Sequence, residues 1–125
     1  MKNVVITNTT HSLGSPLRAS YCFSFLCRLR GLTFCRKIPR DQGLLLVQPK
    51  DSRLDSSIHM VFVFFDLGII WINETGEVVD KCHAKRWITM KVPNKPARYT
   101  LEIVPERLHE FQLGDSIRFE DPSSN

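Results

Sequence analysis

The chain has 125 residues, 42% apolar and 24% charged, which is enough for one domain with a modest core and too few for two. It contains no apolar run of about eighteen residues, which excludes a membrane-spanning helix, and its first residues lack the apolar stretch of a signal peptide. The net charge is +4 and unevenly spread: the first forty residues hold seven of the seventeen lysines and arginines and none of the thirteen acids.

That lopsided field is either a footprint for phosphate or nucleic acid, or a basic segment packed on an acidic remainder. No aromatic-plus-basic binding motif is visible there, which favours the second reading. The cysteines are Cys22, Cys27, Cys35 and Cys82, and no two have C-x-x-C spacing. They read as four reduced thiols in a cytoplasmic protein, with neither metal nor cofactor.

Lys2 to Asn8 alternates weakly and is β-branched, so it reads as a first strand. Leu17 to Tyr21 is a second strand, in a hairpin with the first. Phe23 to Leu32 carries apolar residues at helical spacing and predicts a short helix ending near Gly31. Leu44 to Val47 is a short buried strand. Gln48 to Ser57 is polar, contains Pro49 and reads as a mobile loop. Ile58 to Met60 is a further strand.

Leu67 to Ile72 and Glu77 to Ala84 form a hairpin closed by Asn73-Glu74-Thr75-Gly76, where the glycine supplies a positive φ. Lys91 to Pro96 is a loop. Ala97 to Val104 alternates, with Tyr99, Leu101 and Ile103 on one face and Arg98, Thr100 and Glu102 on the other. Pro105 starts a short helix to Phe111, which Gly114 ends with a left-handed cap. Ser116 to Glu120 is a last strand.

These elements predict a compact, β-rich α+β domain. Its sheet is mostly antiparallel and curled or barrel-like, and it carries two short helices. One domain spans residues 1–120, followed by a polar tail, 121–125.

One charge breaks the most apolar stretch. From Val61 to Ile72 the sequence reads VFVFFDLGIIWI, and Asp66 is its only charged residue. A carboxylate there must reach water at a bend or find a partner.

The order of short motifs is distinctive from about Phe25 to Phe119. It runs Arg30-Gly31-Leu32, Gly43-Leu44-Leu45, His59-Met60, Phe65-Asp66-Leu67, Gly76-Glu77, Ala97-Arg98-Tyr99, Leu101-Glu102 and Gly114-Asp115. This series resembles the small prokaryotic family catalogued as domain of unknown function 192. The resemblance implies one compact β-rich domain and no particular reaction. Two positions depart from the family pattern: Phe65 stands where proline usually precedes the aspartate, and His59 stands where an aromatic residue is frequent.

The candidate binding residues are Arg30, His59, Asp66, Trp87 and Glu102. Asp66 is an acid, base or ligand anchor with a raised pKa, or a structural carboxylate paired with Arg30. Arg30 is expected to hold Asp66 or Glu102. His59 is a proton carrier near neutral pH, or simply packed. Trp87, beside Lys85 and Arg86, is the tryptophan expected to be exposed, whereas Trp71 belongs in the core. Glu102 falls on the polar face of its strand.

No phosphate loop, nucleophile elbow, paired zinc half-sites or dinucleotide fingerprint is present. The leading expectation is a non-enzymatic binding or accessory module with a shallow polar groove near Asp66. Its partner would be a small polar ligand or a protein, not a membrane, and the chain would be a monomer or a dimer. The first alternative is a hydrolase using Asp66 and His59, with Arg30 holding an anion. The second is nucleic-acid binding through the basic N-terminal third.

Overall fold

The computed structural model describes residues 2–23, 38–60 and 63–122. Nine strands and one short helix follow in chain order. They are β1 (Asn3–Asn8), β2 (Arg18–Cys22), β3 (Gln42–Ser52), β4 (Ile58–His59), β5 (Leu67–Ile72), β6 (Val78–Ala84), β7 (Met90–Lys91), β8 (Ala97–Ile103), a 3-10 helix (Pro105–Glu110) and β9 (Ile117–Glu120).

Seven strands form one sheet in the order β6-β5-β8-β3-β2-β1-β9, and β4 and β7 form a separate ribbon. Pairing in the large sheet is antiparallel except between β2 and β3. Its two ends approach each other. Glu77 bridges Ser116, and the Ile117 N–H donates to the Gly76 carbonyl at 2.7 Å. The sheet is therefore curled into a half-barrel, as its short connections lead one to expect.

The concave face holds the main core. Ile6, Leu17, Leu45, Val47, Ile70, Ile72, Leu101, Ile103 and Phe111 are buried there. A second core lies on the other face, where Met60, Val63, Leu67, Ile69, Trp71, Ala84 and Ala97 pack together. Burying each Val, Leu, Ile, Met or Phe side chain among them contributes roughly 1.5–3 kcal/mol. Trp71 is fully buried, and its Nε1–H donates to the Ser56 carbonyl at 2.7 Å.

The two-sided core explains the largest correction to the sequence reading. Alternation does put Glu102 opposite Leu101 and Ile103, but that second face is covered as well. Glu102 is buried between the registered neighbours Leu44 of β3 and Ile69 of β5. An alternating pattern identifies two faces and does not say that the polar one is wet.

Other boundaries moved for local reasons. The polar stretch after Val47 is not a loop at its start: β3 continues to Ser52 across a register shift, because β8 offers it an edge. Ser56 is then buried under Trp71, so the following turn is tied down.

Among the described residues there is one short helix, not two. The other expected helix falls almost wholly on residues outside the described ones. Pro105 does open the observed helix, but it is a single 3-10 segment ending at Phe111. Gly114 does not cap it. With φ +92, Gly114 forms the turn before β9, and its N–H donates to the Val78 carbonyl. Gly76, at φ +91, has the expected hairpin role; a Cβ there would lie 2.7 Å from the Ile117 carbonyl oxygen.

Cys22 is buried and disulfide-bonded, which corrects the expectation of four reduced thiols; Cys82 is free. Among the described residues no helix is long and apolar enough to cross a membrane.

Candidate functional site

Asp66 lies at the bend that leads into β5, and it both reaches water and has partners. One carboxylate oxygen meets His83 Nε2 at 2.9 Å, and the other accepts the Arg86 backbone N–H at 3.0 Å. The β5–β6 hairpin makes these contacts. Leu67 pairs with Ala84 and Gly68 with His83, so Asp66 arrives diagonally opposite His83 and close to the turn after β6.

The Arg86 N–H and the His83 ring hold the Asp66 carboxyl below the usual aspartate range. This is opposite to the raised pKa expected from its apolar sequence neighbourhood. That neighbourhood ends at the bend, where water and donors replace it.

The turn that Asp66 holds is unusual. Trp87 has φ 64, a left-handed conformation that bulky residues rarely adopt. Six hydrogen bonds fix it: Arg86 N–H to Asp66, Trp87 N–H to the Met60 carbonyl at 3.0 Å, Lys85 N–H to Thr89 Oγ1 at 2.8 Å, Met60 N–H to the Thr89 carbonyl at 2.9 Å, and the Ile88 and Thr89 N–H groups to the Lys85 carbonyl at 3.3 and 3.2 Å. The result is an apolar surface. Phe64 and Trp87 are each 45% exposed and meet edge to face with centroids 5.5 Å apart. Ile88 and Met90 are each 77% exposed in the same stretch. Lys85 and Arg86 are exposed beside them.

Asp66→Ala should therefore act locally. Unfolding free energy should change by less than about 1 kcal/mol, as for a solvent-exposed pair. The Arg86 amide should exchange with solvent about tenfold faster, the value of one lost hydrogen bond. Amide exchange read by NMR checks both points. Unchanged exchange at Arg86 would mean that Asp66 does not hold the turn.

The other sequence candidates are dispersed. His59 is exposed on β4, across from Met90 of β7. The histidine bonded to Asp66 is His83, not His59. Trp87 is exposed, as expected of it, and Trp71 is core. Glu102 is buried in the second core, and its Oε1 has no hydrogen-bond partner. Burial alone pushes its carboxyl up to about 7. Arg30, with its expected pairing to Asp66 or Glu102, lies outside the described residues. So do Arg28, Arg36 and Lys37 of the basic third; Arg18 and Arg40 are exposed. Among the described residues no group of three His, Cys, Asp or Glu side chains could hold a metal ion.

Two polar constellations escaped the sequence reading. Arg107 is fully buried and makes five hydrogen bonds: to both Glu110 carboxylate oxygens and to the carbonyls of Ser15, Pro16 and Arg40. Asp115 is buried and accepts from Asn8 Nδ2 at 2.8 Å and the Gln112 N–H at 2.9 Å, with His11 Nδ1 at 2.8 Å. Burial pushes the Asp115 carboxyl up, and these bonds outweigh it and hold it below its usual range. The signal for Asp115 was present in its position just after Gly114, a turn residue. Locally Arg107 shows only an i,i+3 pair with Glu110, which reads as an ordinary surface pair; its three carbonyl partners are some seventy to ninety residues away.

Fold and site together define a half-barrel β-sheet protein that displays a pinned, aromatic and basic turn. The chain belongs to the domain of unknown function 192 family, whose model, described as an uncharacterized ACR, matches residues 5–119. It is 37% identical over 115 residues to a UPF0127 protein of Thermococcus kodakarensis, covering 90% of this chain and 71% of the relative. It is 30% identical over 118 residues to a UPF0127 protein of Pyrococcus horikoshii, covering 92% and 98%. A crystal structure from Sinorhizobium meliloti 1021 shares the fold, with TM-score 0.81 at 16% identity over 94% of this chain and 92% of that one. A protein of unknown function from Novosphingobium aromaticivorans is similar, with TM-score 0.78 at 19% identity, covering 93% and 83%.

Proposed function

We propose that the protein is a non-enzymatic binding module whose Lys85–Thr89 turn docks a partner-protein segment carrying apolar and acidic side chains. The observation that carries this reading is Trp87. A left-handed backbone at a bulky residue costs roughly 1–3 kcal/mol. Here the strained residue is half exposed and is not needed to fill a core. Rigid, partly exposed aromatic groups are the usual anchors of protein interfaces, because little entropy is lost when they are covered.

The rim supports the same occupant. Lys85 and Arg86 flank the aromatic pair and favour a segment bearing carboxylates. Asp66 works as a positioning residue: its two oxygens already serve His83 and Arg86. A carboxyl held below its usual range, with both oxygens occupied, is poorly suited to act as an acid near neutral pH, which weighs against the hydrolase reading. The exposed surface here is apolar and basic, so a protein segment suits it better than a small polar ligand. The fixed edge-to-face geometry of Phe64 and Trp87 favours a protein segment over an anionic membrane.

Selection of random peptides displayed on phage tests the reading. Enriched peptides should pair Asp or Glu with Phe, Leu or Trp. Trp87→Asn should lose the selected peptides by about thirtyfold or more, the effect of a 2 kcal/mol anchor. Asparagine tolerates the left-handed backbone, so the fold should be retained. Peptides retained equally by Trp87→Asn would contradict the proposal. So would Trp87-dependent binding to vesicles of anionic lipid with no peptide enriched.

A further inference from the structure

A second candidate site shares no residue with the Trp87 turn. A cleft of about 380 Å³ is lined by His11, Ser12, Arg40, His109, Glu110 and Gln112, among others. Four of these side chains carry N–H groups: Arg40, His11, His109 and Gln112, whose Nε2 already donates to the His109 carbonyl at 3.0 Å; His11 donates through Nε2 when its ring is protonated. We propose that this cleft binds a small phosphate-class oxyanion, with Arg40 and the two histidines as its donors.

The cleft is built rather than incidental. His11 is 60% exposed at the side chain, yet its Nδ1 is fixed at 2.8 Å from Asp115, whose side chain is only 2% exposed. A buried carboxylate bonded to one ring nitrogen sets the ring orientation and leaves Nε2 as the nitrogen available to a ligand. The loop carrying His11 is itself tied: Asn8 Oδ1 accepts the N–H groups of Thr10 and His11 at 3.0 and 2.9 Å. Arg107 holds the Arg40 carbonyl at 3.1 Å and so fixes the backbone that presents the Arg40 side chain.

The charge around the cleft also fits an anion. The acids facing it are already engaged. Glu110 takes two hydrogen bonds from Arg107 and one from the Gly14 N–H, and Asp115 takes those of Asn8, Gln112 and His11. Arg107 offsets Glu110, and Arg40 remains as the exposed guanidinium. With neutral imidazoles, Arg40 and Arg107 balance Glu110 and Asp115. Each imidazole that takes up a proton adds a positive charge and a second N–H. Several charge-assisted donors suit a phosphate-class oxyanion, which offers more acceptor oxygens than a carboxylate.

Titration of the whole chain with inorganic phosphate, followed by NMR of the histidine rings, tests this. Saturable shifts at His11 and His109 are expected, with His59 and His83 unmoved. Arg40→Ala and His11→Gln should each weaken binding by about tenfold, the loss of one charge-assisted hydrogen bond. Both side chains are exposed, so circular dichroism should report an unchanged fold. Acetate should bind at least tenfold more weakly than phosphate. The absence of saturable phosphate binding would overturn the proposal. So would binding indifferent to both substitutions, or equal affinity for acetate.

Discussion

Arg107→Met is expected to lower the unfolding free energy by about 3–5 kcal/mol, the cost of breaking a buried ion pair. All five guanidinium N–H donors are used, and Met retains much of the side-chain volume while removing every one of them. Glu110 would be left as a nearly buried carboxylate without its cation, and three carbonyls would lose a donor. The guanidinium is the largest influence holding the Glu110 carboxyl below its usual range, so its loss should also raise that pKa. The effect should reach far along the chain, because Arg107 joins the 3-10 helix to the loop before β2 and to the loop before β3. Urea unfolding followed by tryptophan fluorescence measures it. The double substitution Arg107→Met with Glu110→Leu should recover part of the loss, since it removes the stranded charge as well. A loss below about 1 kcal/mol in the single variant would mean that the clamp is not structural.

Glu102 gives the second large effect, and it depends on pH. Its carboxyl is raised from 4.5 to about 7 in the folded chain, with burial as the cause. The folded state therefore holds the proton more tightly than the unfolded state. The Glu102 contribution to stability should be greatest below about pH 4.5, fall as the pH rises toward 7, and level off above it. The whole fall should be about 3 kcal/mol, the free-energy equivalent of that pKa difference. Glu102→Gln cannot ionise. It should match the natural chain near pH 4 and exceed it by about 3 kcal/mol at pH 8. Denaturant unfolding across this range checks the prediction; parallel pH profiles for the two proteins would show that Glu102 ionises without penalty.

Much of the fold was legible because its strongest signals are local. β5 is found over the residues that its apolar run marks, and the Asn73–Gly76 turn closes the hairpin as its glycine requires. The polar stretch after Val47 misled, because β3 extends only where β8 is present to pair with it. Glu102 misled for a related reason: the covering of the second face comes from distant segments. The site was half legible. Asp66 was conspicuous as a charge in an apolar run, and Trp87 as an aromatic residue beside two bases. Their link was not, since it depends on the hairpin register that brings His83 and Arg86 to the carboxylate. That register could have been drawn from the Gly76 turn. The left-handed backbone at Trp87 had no sequence signal, because tryptophan gives no reason to expect it.

For a docking role of the pinned Trp87 turn, the chain carries its own control. It has two tryptophans, one half exposed in the turn and one fully buried. The most direct measurement is the pair of indole N–H signals in a nitrogen–proton NMR spectrum. The titrant would be short peptides pairing Asp or Glu with Leu, Phe or Trp. Saturable movement of the Trp87 indole and of amides from Lys85 to Lys91 is expected, with the Trp71 indole unmoved and the response lost in Lys85→Glu with Arg86→Glu. A still Trp87 signal, or shifts confined to other faces of the half-barrel, would contradict it.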